Sequence, residues 1–106
     1  MTAVTRIEKK REEQITKHGF IPLFDKGRAH ELALAAHAYN RNAIDRLMLI
    51  EEGKSPEEAF KIGIPYPFPW HKSLWKPDED IAEQLVKAAA LLAAAVDAIE
   101  AERSDD

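Results

Sequence analysis

Apolar residues recur near the end of the chain at Ile81, Leu85, Ala88, Leu92, Val96 and Ile99, at intervals of four, three, four, four and three. That spacing follows the α-helical turn, so it predicts a long helix over 78–103, opened by acidic residues against the positive helix N-terminus. Alanines at 88–90 and 93–95 surround Leu91 and Leu92 and leave little bulk. Another helix can approach closely on more than one face, which suits a bundle shared between subunits, although packing within one chain explains the same alanines. A second stripe, Leu32, Ala35, Ala36, Tyr39, Ala43, Leu47 and Ile50, predicts a core helix over 28–52 that Gly53 ends. The first segment has the thinnest apolar face: Val4, Ile7 and Ile15 share helical spacing with Arg11 and Gln14, in a helix over 3–17 stopped by Gly19. Arg11 is then either a site residue or a side chain that lays its stem on the core.

Two connections carry their own signals. "SPEEAF" offers Ser55 as N-cap, Pro56 at the first helical position and Glu58 three residues after the cap, the start of a short helix over 56–62. "FIPLFDKG" reads as an apolar loop over the core. The whole is one all-α domain, 1–106: a small helical bundle with a long C-terminal helix and a proline-aromatic loop at 63–77, expected to be a homo-oligomer.

Composition narrows the function. With no cysteine the chain forms no disulfide, thiolate zinc site or cysteine nucleophile. A net charge of −4 argues against a broad nucleic-acid surface, while a local basic pocket stays open. "MTAVTRIEKKREEQ" has no apolar signal core and "AAALLAAAV" is too short to span a bilayer, so no membrane role and a cytoplasmic location are expected. "HELALAAH" has Leu34 where a zincin needs histidine, and His30 and His37, two turns apart, stand about 10.5 Å from one another, too far to chelate one metal. No phosphate-binding glycine loop or nucleophile elbow occurs.

The stretch "PYPFPWHKSLWKP", residues 65–77, holds four prolines and half of the eight aromatic residues. Prolines at 65, 67 and 69 force an extended path that splays Tyr66, Phe68 and Trp70. His71, Lys72, Trp75 and Lys76 follow, so flat faces and cations alternate, as a nucleotide requires for base and phosphate. A loop pinned to the bundle by its tryptophans explains the same residues.

The blocks "REEQI" with Gly19-Phe20, "ELALAAHAY", "PFPWHKSLWKPDED" and "LVKAAALLAAAVDAIE" resemble a family of small phage and prophage proteins. Members read Glu-Arg-x-Arg-Gln, Glu-Gly-Trp, a His-Asp-Asp cluster, Glu-Leu-Ala-x-Ala-Ala-x-x-Tyr, Trp-Pro-Trp, Trp-Trp-Lys-Pro and Leu-Val-Lys-Ala, in that order. The segment 41–64 stands outside the resemblance. The His-Asp-Asp cluster is reduced to Asp25, Phe68 replaces a tryptophan, and His71 stands where an acid is frequent. The resemblance implies a phage setting, in the host cytoplasm, and no particular activity. In that setting the leading expectation is sequestration of a nucleotide-derived immune signal, a cyclic oligonucleotide or an ADP-ribose derivative, in a pocket between subunits. No cofactor is required, and turnover is not expected. The expected ligand-binding residues are Arg11, Gln14, Tyr39, Trp70, His71, Trp75, Lys76 and Lys87. Two alternatives stay open: a Mg²⁺-dependent all-α nucleotide pyrophosphohydrolase of the MazG type using Glu79, Asp80 and Glu83, and an inhibitor that presents the proline-aromatic loop to a host protein.

Overall fold

The computed structural model describes residues 1–22 and 24–103, which form four α-helices and no strand. They are α1 (Ala3–Thr16), α2 (Ala29–Glu51), α3 (Pro56–Phe60) and α4 (Ile81–Arg103), with one turn of 3₁₀-helix at Lys72–Leu74 inside the proline-aromatic loop. Thr2 caps α1 by accepting from the Thr5 N–H at 3.2 Å, and Ser55 caps α3 by accepting from the Glu58 N–H at 3.1 Å. Gly53 ends α2 at φ 101°, a conformation that L side chains rarely adopt.

Helix α4 packs against both α2 and α1. The core is built from Leu32, Ala35, Ala36 and Tyr39 of α2 and Ala88, Leu91, Ala94, Ala95 and Ala98 of α4. Alanine at so many contacts brings the α2 and α4 backbones close together and leaves the rest of the core to Leu32, Tyr39 and Leu91.

The packing selects the alanine face of α4 for burial. Leu85, Leu92, Val96 and Ile99 are exposed, whereas Gln84, Ala90, Leu91, Ala94 and Ala98 are buried. The molecule is only 20 Å through its thinnest axis, about two helix layers, so among the described residues one face of α4 has nothing to pack on. The chain buries the alanine face, where two helices fit tightly, and turns the larger residues outward. Leu47 of the α2 stripe is also exposed.

Helix α4 starts at Ile81, three residues later than its acidic lead suggests. The Gln84 side chain accepts from the Asp78 N–H at 2.8 Å, and Asp80 accepts from the Ala82 N–H at 2.9 Å, so 78–80 form the cap and not the first turn. A buried polar network fixes this corner. Gln84 Nε2 donates to Asn42 Oδ1 at 2.8 Å, while Arg46 donates to the Asp78 and Glu79 carbonyls at 2.6 and 2.7 Å. The Arg46 guanidinium also lies over the Phe60 ring, 5.0 Å from its centroid. Burial holds the Arg46 pKa below the ordinary arginine value, against the pull of Asp78, Asp80 and Glu79.

Candidate ligand pocket

The proline-aromatic loop folds back onto the bundle through its rings. Trp75 stacks on Tyr39 with centroids 4.4 Å apart and planes 15° from parallel. Phe68 meets Tyr39, Trp70 and Trp75 edge to face, at 6.1, 5.8 and 5.2 Å. Trp70 stacks on Phe20 at 5.9 Å, and its indole N–H donates to Glu31 at 3.3 Å. The Tyr39 hydroxyl accepts from the Lys76 N–H at 3.0 Å, which ties the loop's end to α2. Tyr66 alone of the four loop aromatics projects into solvent.

A pocket of about 540 Å³ opens beneath this loop, within the range of small-molecule sites. Two rows at helical spacing form its walls. Lys10 and Gln14 on α1, with His18 just beyond it, face Glu83, Lys87 and Leu91 on α4. Tyr39, Phe20, Trp70 and Leu74 supply apolar surface, while Arg28, Lys76 and Asp78 complete the lining. Three lysines and an arginine therefore meet two carboxylates in a chain whose net charge is −4. Both acids are engaged: Glu83 pairs with Arg6 and lies 3.6 Å from Lys10, and Asp78 Oδ1 accepts from the Asp80 N–H at 2.8 Å. Arg28 is held by Glu31 at 3.1 Å. Among the described residues, neither Lys76 nor Lys87 has an ion-pair partner.

Lys87 is the most perturbed group of the pocket. Its ammonium sits 4.3 Å from the Tyr39 ring centroid and donates to the Lys76 carbonyl at 2.7 Å. Burial lowers its pKa to about 8; Lys10 and Lys76 push in the same direction, and Asp78 opposes them. A half-buried ammonium between two other lysines is a place where a bound anion gains more than on open surface.

Five of the expected residues, Gln14, Tyr39, Trp70, Lys76 and Lys87, line this one pocket, and the other three do not. Arg11 turns into the protein: it donates to Asp97 at 2.8 Å and to the Phe20 carbonyl at 2.9 Å, so it fastens α1 to α4 and to the following loop. His71 Nδ1 accepts from the Ser73 N–H at 3.1 Å and caps the 3₁₀ turn. Trp75 stands behind the pocket wall, stacked on Tyr39. All of these lining residues belong to one chain.

The carboxylates of the hydrolase alternative are dispersed in role. Glu83 is ion-paired, Asp80 caps α4, and Glu79 is exposed at the helix start. No group of three or more His, Asp or Glu side chains that could hold a metal ion occurs among the described residues. Asp25 is buried, with burial raising its pKa against the effects of Arg28 and Arg11, and it does not line the pocket. No described helix is long and apolar enough to cross a membrane.

Lys10, His18, Phe20 and Arg28 join the pocket without having been singled out from the sequence. A signal for two of them existed: Lys10 and His18 lie four residues before and after Gln14 and share its face. No family model, curated protein or solved structure matches the chain.

Proposed function

We propose that this chain binds and sequesters a small anionic aromatic ligand of the nucleotide class, a cyclic oligonucleotide or an ADP-ribose derivative. The observation that carries the reading is the pocket that joins the Phe20 and Trp70 rings to a cluster of three lysines, two of them without a carboxylate partner. In this reading the base lies against Phe20 and Trp70, where ring faces favour stacking. Phosphate meets Lys10, Lys76 and Lys87, and Gln14 offers an amide to the base or ribose edge. The resemblance to small phage and prophage proteins supplies the biological setting: the bound ligand is a signal of host defence, and removing it counters that defence. Tight retention is what such a protein requires, and the pocket residues are suited to holding a ligand.

Isothermal titration with cyclic dinucleotides, cyclic trinucleotides and ADP-ribose derivatives tests the reading. One class binds, its affinity falls with rising salt as expected for phosphate contacts, and Lys76→Ala and Lys87→Met each weaken it at least tenfold. Binding to none of the panel, or binding indifferent to both substitutions, contradicts it.

A further inference from the structure

The exposed face of α4 has a regular spacing of its own. Leu85, Ala89, Leu92, Val96, Ile99 and Arg103 succeed one another at intervals of four, three, four, three and four. This is the 3.5-residue repeat of a helix–helix seam, narrower than the broad stripe with which a helix lies on a core. Leu92 is 53% and Val96 56% exposed, and the seam is flanked by small residues, Ala82, Ala88 and Ala93, with no charged side chain until Glu100. The chain's own helices pack on the other sides of α4, so among the described residues the seam has no partner.

We infer that this seam pairs antiparallel with α4 of a second copy of the chain. The period calls for a helix of the same repeat, and a second copy supplies one. Charge at Arg103 favours one direction. The exposed acids Glu79 and Asp80 precede the seam, and Arg103 ends it. In an antiparallel pair each Arg103 approaches the partner's acidic helix start, whereas a parallel pair sets Arg103 beside Arg103 and acid beside acid. Among the described residues Arg103 is paired with Glu100 of its own helix, an exposed pair three residues away that restrains it weakly. Size is complementary as well. A two-fold axis between Leu92 and Val96 sets Ala89 opposite Ile99, Leu92 opposite Val96, and Leu85 against the arginine stem. Glu83 and Lys87 project from the opposite side of α4, so both pockets stay open in the dimer.

Sedimentation equilibrium of the full chain tests this across micromolar concentrations. The account expects a species of twice the 12.0 kDa chain mass. Leu92→Glu and Val96→Glu, at exposed positions, convert it to monomer with the helical circular dichroism unchanged, and Arg103→Glu weakens the dimer without touching the core. The chain has no native cysteine, so orientation is read directly. Mixed Leu85→Cys and Arg103→Cys chains cross-link to each other, and Leu85→Cys alone does not. A monomer at all concentrations, or a dimer untouched by all three charge substitutions, overturns the inference. Cross-linking of Leu85→Cys to itself overturns the antiparallel arrangement.

Discussion

Replacing Lys87 by methionine isolates the electrostatic cost of the pocket. Methionine keeps an unbranched stem over the Tyr39 ring and removes the ammonium, and the Lys76 carbonyl left behind belongs to an exposed residue that water can reach. The pKa of Lys87 falls from 10.5 to about 8 on folding. At about 1.4 kcal/mol per pH unit that is roughly 3 kcal/mol against the charged form, and screening of a half-buried amine reduces it to about 1–2 kcal/mol. Below pH 8 the amine is protonated in both folded and unfolded chains and the whole penalty is present. Between pH 8 and 10.5 the unfolded chain binds the extra proton, so the penalty shrinks as pH rises and vanishes above 10.5. Lys87→Met should therefore be more stable than the parent by about 1–2 kcal/mol at pH 7, a rise of roughly 5–10 °C in Tm for a domain of this size. The advantage should fade by pH 10. Urea denaturation of both proteins from pH 6 to 10, followed by tryptophan fluorescence, measures it. A variant no more stable than the parent at pH 7, or a difference that does not change with pH, refutes the reasoning.

Other substitutions probe the frame that holds the pocket. Gln84→Leu deprives the Asp78 N–H and Asn42 of their partners at a fully buried site, and chemical denaturation should show a loss of about 2–4 kcal/mol. Tyr39→Phe keeps the stack on Trp75 but removes the acceptor of the Lys76 N–H, with an expected loss of about 1–2 kcal/mol by the same measurement. If the ligand is an anion that favours protonated Lys87, its affinity should fall as pH rises through 8, by up to about tenfold per pH unit, and titrations at pH 7, 8 and 9 read this directly. In Lys87→Met that pH dependence should disappear.

Local chemistry was legible where the partners lie within a few residues of each other. Ser55, Pro56 and Glu58 identify the start of α3, and the proline spacing identifies the 65–77 loop, because caps and backbone restrictions act over one turn. Periodicity alone identifies α4 as a helix but does not say which face is buried. Close approach of α2 and α4 gives the core face to alanine and leaves Leu85, Leu92, Val96 and Ile99 outside. The network of Asn42, Arg46 and Gln84 was not legible, since it joins α2 to residues 32 to 42 positions away through tertiary packing. Arg11 shows the same limit in the site. Its place beside the apolar stripe was visible in the sequence, but its choice between a ligand and Asp97 depends on how α1 lies against α4. Gln14, Tyr39, Trp70, Lys76 and Lys87 converge because the loop's rings pack on α2, which the aromatic density hinted at and the chain order could not fix.

Retention of an intact ligand tests the central claim most directly. Purified protein is mixed with the nucleotide panel and Mg²⁺ and passed through a filter that holds back the protein; the retained fraction is then heat-denatured, and both fractions are chromatographed. The account predicts that one ligand class is depleted from the filtrate and recovered unchanged after heating, and that Lys76→Ala and Lys87→Met abolish the depletion. Altered products would contradict sequestration and direct attention to Asp78 and Glu83 at the pocket wall; a panel that passes the filter untouched would contradict nucleotide recognition itself.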